Sequence, residues 1–202
     1  MKAKETKDEI IYLADQLIRK RGFNAFSYAD IAGPMDIRPP AIHHHFPVKS
    51  DLGISVIDKE LQRIATLRAD FAGLPGGERL KKIVEGFYHS SRQGSICLTG
   101  SLTPDYETLS SPLQTSIREM CDATLALMTD CLKKGRKDGS LSFKGDAADR
   151  ALLVLSSLLS SLLFARVLGE EVFDRMIDQL FADLGSPVRV AQLQEIRREH
   201  LE

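Results

Sequence analysis

The chain has 202 residues, 43% of them hydrophobic and 27% charged, with a formal net charge of −1. That fits one large or two small soluble globular domains, whose core needs no disulfide or metal support. Near-neutral charge excludes a basic coat for nucleic acid. Three cysteines (Cys97, Cys121, Cys131) without a CxxC pair exclude a disulfide framework and fit a reducing cytosol.

The opening MKAKETKDEI has no apolar run, so no signal peptide is expected. Lys4 to Arg21 reads as a first helix, with Ile10, Leu13, Ala14, Leu17 and Ile18 at helical spacing. Arg19-Lys20-Arg21 suits its C-terminal end, and Gly22 stops it. Phe26 to Leu52 then reads as two short helices about a tight turn. Ser27 is the expected N-cap, its hydroxyl accepting a first-turn N–H. Gly33-Pro34 ends the first short helix, because proline offers no N–H and disfavours helix before it. Met35-Asp36 makes the turn, where aspartate tolerates a left-handed backbone. Ile37 anchors the exit. The second helix starts near Arg38, with Pro39 and Pro40 in its first turn, where N–H groups lack helical partners anyway. Ala41 to His45 then presents imidazoles and little else. This layout matches a helix-turn-helix, whose second helix enters the DNA major groove.

Gly22-Phe23-Asn24-Ala25-Phe26-Ser27-Tyr28-Ala29-Asp30-Ile31-Ala32, Ile37, Ala41-Ile42-His43-His44-His45-Phe46-Pro47 and Lys49-Ser50-Asp51-Leu52 carry a resemblance. In register, they resemble the N-terminal domain of TetR-type transcriptional repressors. The resemblance implies an all-α protein. Residues 1–48 would form a three-helix helix-turn-helix domain, and 49–202 a helical ligand-binding and dimerisation bundle. It further implies a cytoplasmic homodimer that binds a palindromic double-stranded DNA operator and is released by a small-molecule effector. Four departures stand out. Pro39 and Pro40 replace a polar or basic residue and a glycine, His43 replaces tyrosine, Asp36 replaces the turn glycine, and Val48 replaces a capping serine or asparagine.

The expected DNA-contacting residues are Thr6, Lys7, Ser27, Tyr28, Arg38, Pro39, Pro40, Ala41, His43, His44 and Lys49. Thr6 and Lys7, with Lys4, stand within reach of a phosphate or simply form a solvated helix start. Tyr28 either donates its hydroxyl to a phosphate or packs half-buried. Arg38 suits a two-pronged bond to a guanine edge, or a phosphate. His43 and His44 face the duplex while His45 and Phe46 turn back. Lys49, at a helix N-terminus, suits a phosphate, as the family's matching lysine does. No metal site is expected, because successive side chains on a helix diverge by about 100°.

Lys49 to about Phe71 is a long helix with Leu52, Val56, Leu61, Ile64 and Leu67 inward. Gly73 to Gly77 reads as a linker. Glu78 to Gln93 is amphipathic, Gly94 to Ser101 a break, and Thr103 to Leu109 a short helix. A long helix runs from Ser110 to Lys137. Leu152 to Leu168 is the most apolar stretch, interrupted by Ser156, Ser157, Ser160, Ser161 and Arg166. A buried helix, not a membrane span, is the expectation. With 170–184 it offers a dimer face over 146–184, as a four-helix bundle. Val188 to Glu202 is a charged final helix or a frayed tail.

Candidate effector contacts are Tyr88, His89, Arg92, Tyr106, Arg118 and Arg166, polar groups within apolar helices that need a ligand or a protein partner. Cys97 is either a small buried hydrophobe or, by resemblance to electrophile-responsive TetR-like repressors, a sensor thiol. His89 and Arg92 are possible activators. Only a depressed pKa and access would make the thiol reactive. The effector is expected to be largely apolar or electrophilic. No catalytic residue and no cofactor are expected, because nucleophile elbow, phosphate loop and paired carboxylates are all missing. A thiol-based enzyme on Cys97 and a helical protein–protein adaptor are the other classes.

Overall fold

A computed structural model describes residues 2–188 and 190–193 of the chain. The elements are α1 (Lys2–Arg21), α2 (Tyr28–Ala32), α3 (Pro39–His45), α4 (Lys49–Asp70), α5 (Gly76–Arg92), α6 (Leu98–Leu102), a 3₁₀ helix (Thr103–Thr108), α7 (Ser111–Asp138), α8 (Ala147–Leu168) and α9 (Glu170–Asp183). No strand occurs among the described residues, so the all-α expectation holds. The residues fall into two compact units. One holds the chain up to Thr66 together with Cys97–Ala123; the other holds Leu67–Ile96 and the described residues from Thr124 on.

The first unit has one core. Ile10, Ala14 and Ile18 of α1 bury against Ile31, Ile42 and Phe46, Leu52, Val56 and Ile57 of α4, Leu98 and Leu102 of α6, and Leu113 and Ile117 of α7. Each fully buried aliphatic side chain stabilises the unit by about 1.5–3 kcal/mol. Gly53 has a packing reason: a Cβ there would lie 2.8 Å from a Phe23 ring carbon and 3.2 Å from Leu113. The α1–α2 loop is tied to the 3₁₀ helix. The Asn24 N–H donates to Asp105 at 3.3 Å, and its side-chain amide donates to Thr108 at 3.0 Å.

The second unit corrects two expectations. Gly73–Gly77 is a linker only as far as Pro75, because Gly76 starts α5 against the end of α7. A Cβ on Gly76 would meet the Gly135 nitrogen at 2.0 Å and the Cys131 carbonyl at 2.5 Å. Helix backbones approach this closely only where neither residue carries a side chain. The start of α5 is also capped from the end of α7 and the turn after it: the Gly76 N–H donates to Asp138 at 3.0 Å and the Gly77 N–H to Ser140 Oγ at 2.8 Å. The Ser140 hydroxyl and the Gly76 N–H hold the Asp138 carboxyl well below the usual carboxylate range. The dimer-face expectation also narrows. Phe173, Ile177, Leu180 and Phe181 of α9 are buried within the subunit. The exposed apolar residues lie on α8: Leu152, Leu153, Leu163, Phe164, Val167 and Leu168.

Thus α8 is not simply a buried helix. One side, with Ala151, Val154, Leu158 and Leu162, packs inward, against α5 and α9; the other side stands bare. By length and mean hydropathy (2.1) it is long and apolar enough to cross a bilayer, and a core helix of a soluble protein passes the same test. In the first unit, the expected break at 94–101 contains α6, whose N-cap is Cys97. Of the expected final segment, Val188, Val190 and Leu193 are buried; 189 and 194–202 lie outside the described residues.

Candidate nucleic-acid interface

The helix-turn-helix forms for the reasons its residues supply. Ser27 is the N-cap of α2, and Asp30 completes a capping box. The Asp30 carboxylate accepts the Ser27 N–H at 2.8 Å and the Ser27 hydroxyl at 2.7 Å. In the capping box the Ser27 side chain accepts the N3 N–H, as expected, and its hydroxyl also donates to Asp30. These bonds and Arg21 lower the Asp30 pKa. Gly33 closes α2. Asp36 adopts φ +52°, the left-handed turn expected of it. Arg38 is the N-cap of α3, with Pro39 and Pro40 in its first turn.

On α3 only Ile42 is buried. Arg38, Pro39, Pro40, Ala41, His43 and His44 are exposed, and His45 is half-buried. One apolar anchor therefore fixes the helix while its other side chains face outward. His43 is braced edge-on against the Tyr28 ring, 4.6 Å between centroids, and His44 lies 5.6 Å from His45. Arg38 has no ion pair among the described residues.

Lys49, expected on a phosphate, is spent inside the protein, and Tyr28 takes its packed alternative. Tyr28 is buried and its hydroxyl donates to the Phe46 carbonyl at 2.8 Å. Its single proton is therefore committed. Burial, then Asp51, raises its pKa. Lys49 turns inward as well: its ammonium donates to the Phe23 carbonyl at 2.6 Å and to the Phe26 carbonyl. It also lies 4.7 Å and 3.9 Å from the centroids of those two rings. Partial burial lowers its pKa. Lys49 thus staples the start of α4 to the α1–α2 loop, which Asn24 fastens on its other side. Sequence reasoning assigned Asn24 and Asp105 no role, and nothing local in either marks this long-range pairing. On α1, Lys7 is exposed with its ammonium 5.4 Å from the Phe46 ring centroid, and Thr6 is half-buried. The Lys4 side chain lies outside the described residues.

The effector candidates divide between the units. In the second, Arg92 pairs with Glu170 and Asp174 and lies 4.5 Å from the centroid of the buried Tyr88 ring. Although burial opposes its charge, Asp174, Tyr88 and Glu170 raise its pKa above the ordinary arginine value. His89 is exposed, and Arg166 donates to the Gly94 carbonyl at 3.3 Å. In the first unit, Arg118 donates to the Tyr106 hydroxyl at 3.2 Å. Protein partners thus satisfy Arg92, Tyr106, Arg118 and Arg166. Cys97 lacks the depressed pKa that a sensor needs. It is half-buried, its sulfur accepts the Gly100 N–H at 3.5 Å, and burial pushes the thiol up to about 11. The nearby charges are Arg19 and Glu60. A cavity of about 370 Å³ lies between α1 and α4, lined by Tyr12, Asp15, Arg19, Val56 and Glu60 among others, and it holds none of these candidates.

Comparison with known proteins agrees with this geometry. Residues 10–55, spanning α1 to the start of α4, match the model for bacterial regulatory proteins, tetR family. The chain is 25% identical over 203 residues to the HTH-type transcriptional repressor BepR of Brucella suis, covering 94% of this chain and 97% of that one. It is 21% identical over 169 residues to the HTH-type transcriptional repressor NemR of Escherichia coli, covering 81% and 85%. Its fold superposes on a TetR-family transcriptional regulator from Agrobacterium tumefaciens with TM-score 0.81 and 26% identity, over 90% of this chain and 98% of that one.

Proposed function

Because the chain belongs to the TetR family of bacterial regulatory proteins, we propose that it is a DNA-binding transcriptional repressor acting in the cytoplasm. It binds a palindromic operator as a homodimer and leaves when a small molecule binds. The observation that carries this reading is α3: a short helix whose one buried side chain is Ile42, with Arg38, Pro39, Pro40, Ala41, His43 and His44 all turned to solvent. That is the surface a reading helix needs in a major groove. Arg38 is the uncommitted guanidinium for a base edge or phosphate, and the imidazoles take phosphates or base edges. Residues 1–48 form the reading head, and 49–202 hold ligand and partner.

The dimer forms through the bare side of α8, within 146–184. Leu152, Leu153, Leu163, Phe164, Val167 and Leu168 are the residues it would cover. Two heads then address half-sites about 34–36 Å apart, or a little more. A small, largely apolar effector in the C-terminal part binds one state better than the other. It thereby shifts the population toward heads that no longer match the half-sites. Of the polar candidates, His89 is exposed, its ring 6.3 Å from that of Tyr88. BepR and NemR are named repressors, which supports regulation over catalysis.

The test is fluorescence anisotropy with a labelled duplex from upstream of the protein's own coding sequence, at several salt concentrations. The expected result is affinity at least about 10³-fold tighter than for random duplex. Affinity no tighter than for random duplex would overturn the repressor reading.

A further inference from the structure

DNA binding draws on cations that neutralise phosphates, and three of this reading head's cations are held by protein groups, while Lys20 is exposed and the Lys2 and Lys4 side chains lie outside the described residues. Over residues 1–50 eight Lys and Arg face six Asp and Glu. Arg19 is paired with Asp15 and Glu60, and Arg21 with Asp30. Lys49 is bound to two carbonyls, and Lys7 leans over the Phe46 ring. Beside α3, that leaves Arg38. The other nitrogen bases on the outward side of α3 are His43 and His44, both exposed.

We infer that binding of DNA by α3 is coupled to proton uptake at His43 and His44, so that acidification tightens the complex. The inference rests on the DNA-binding reading above. Imidazole is the side chain that changes charge near neutral pH. From α2, Tyr28 faces His43, but its hydroxyl proton is held by Phe46, and Asp30 is occupied by Ser27 and Arg21. From α4, Asp51 acts on Tyr28, and Lys49 points to the α1–α2 loop. From α1, Lys7 stands at Phe46. Along the chain itself Asp36, Arg38 and His45 are the remaining titratable or charged neighbours. No carboxylate among the described residues pairs with either imidazole. A backbone phosphate is therefore the first strong anion either ring would meet.

An anion beside an imidazole favours its charged form and raises its pKa in the complex. A group whose pKa is raised on binding strengthens the complex below its free pKa, and that gain is lost as pH rises through the bound value. Each newly charged imidazole on a phosphate also steepens the logarithmic salt dependence by about 0.9.

The experiment measures anisotropy with the same upstream duplex at about pH 6 and about pH 8, each over a salt series. Wild type is expected to bind at least about tenfold tighter at the lower pH, with a steeper salt slope. His43→Phe with His44→Gln keeps a ring on Tyr28 but cannot charge, so both pH effects should flatten. His43→Lys with His44→Lys should bind tightly at both pH values. Equal wild-type affinity at both pH values, or an undiminished pH effect in His43→Phe/His44→Gln, overturns the coupling while leaving the repressor reading in place. Binding no tighter than to random duplex at either pH removes the repressor reading and the coupling with it. Circular dichroism of the variants confirms that these exposed positions leave the fold intact.

Discussion

In the unit that carries α3, side-chain hydrogen bonds fasten backbone that no helix satisfies. Lys49 holds the carbonyls of Phe23 and Phe26, Tyr28 holds that of Phe46, and Asp105 takes the Asn24 N–H. The other unit uses such bonds too, with Asp138 and Ser140 on the start of α5 and Arg79 on the Leu74 carbonyl, and adds a close backbone contact of Gly76 against Gly135. The bare surfaces differ in the same sense. One unit turns proline, arginine and imidazole outward on α3, and the other turns leucine, phenylalanine and valine outward on α8. Polar fastening suits short elements, which have many chain ends to satisfy. Close packing suits long helices, which have few. The opposite exposed chemistries fit opposite partners, a polyanion for the first and a second apolar face for the second.

The largest expected effect comes from breaking the apolar surface. Leu163→Glu with Phe164→Glu places two carboxylates on residues that are 50% and 58% exposed. The subunit should stay folded, because these side chains contribute little to its interior. Sedimentation should show a monomer, and operator affinity should fall by about 10²–10⁴-fold through loss of the second head. A dimer that survives this change would place the interface elsewhere. Next comes the glycine contact. Gly76→Ala puts a methyl where the nearest atoms are α7 backbone, and urea denaturation should show a loss of about 3 kcal/mol. Gly73→Ala is the control. It has φ +81° with open space around it, so only the left-handed penalty of about 1–2 kcal/mol applies. Equal losses would mean that the close approach carries no special weight.

The contrast also explains what the sequence made legible. The short helices, the left-handed Asp36 and the outward imidazoles follow from local rules of capping, turn chemistry and 3.6-residue spacing. The resemblance rests on those same residues. Lys49, and one of the two readings of Tyr28, pointed outward because their chemistry suits phosphate. Their actual partners are carbonyls at Phe46, Phe23 and Phe26, and a carbonyl leaves no trace in residue type. Gly73–Gly77 read as a linker throughout for a related reason. Glycine marks both a loop and a close approach, and only the neighbour, Gly135, tells them apart. On α8 composition showed the apolar character, but which half would be covered depended on α5 and α9.

The smallest expected effect concerns Cys97, and it separates an inert residue of the first unit from a signalling one. Burial pushes its thiol up to about 11, whereas an ordinary cysteine titrates near about 8.5. Thiolate is the nucleophile, so at neutral pH the reactive fraction is lower by roughly two orders of magnitude. Peptide mapping after brief iodoacetamide treatment of the native protein should show slow modification at neutral pH, rising about tenfold per pH unit toward alkaline conditions. Stability should follow the same titration. The folded-state value lies above the unfolded one, so this contribution is fully present below about pH 8.5 and is lost as pH rises through about 11. Cys97→Ser should make that alkaline decline shallower. Rapid alkylation of Cys97 near neutral pH, accompanied by release of DNA, would reverse the assignment. The first unit would then carry a covalent trigger next to α1, in addition to the polar ties that hold its reading helix.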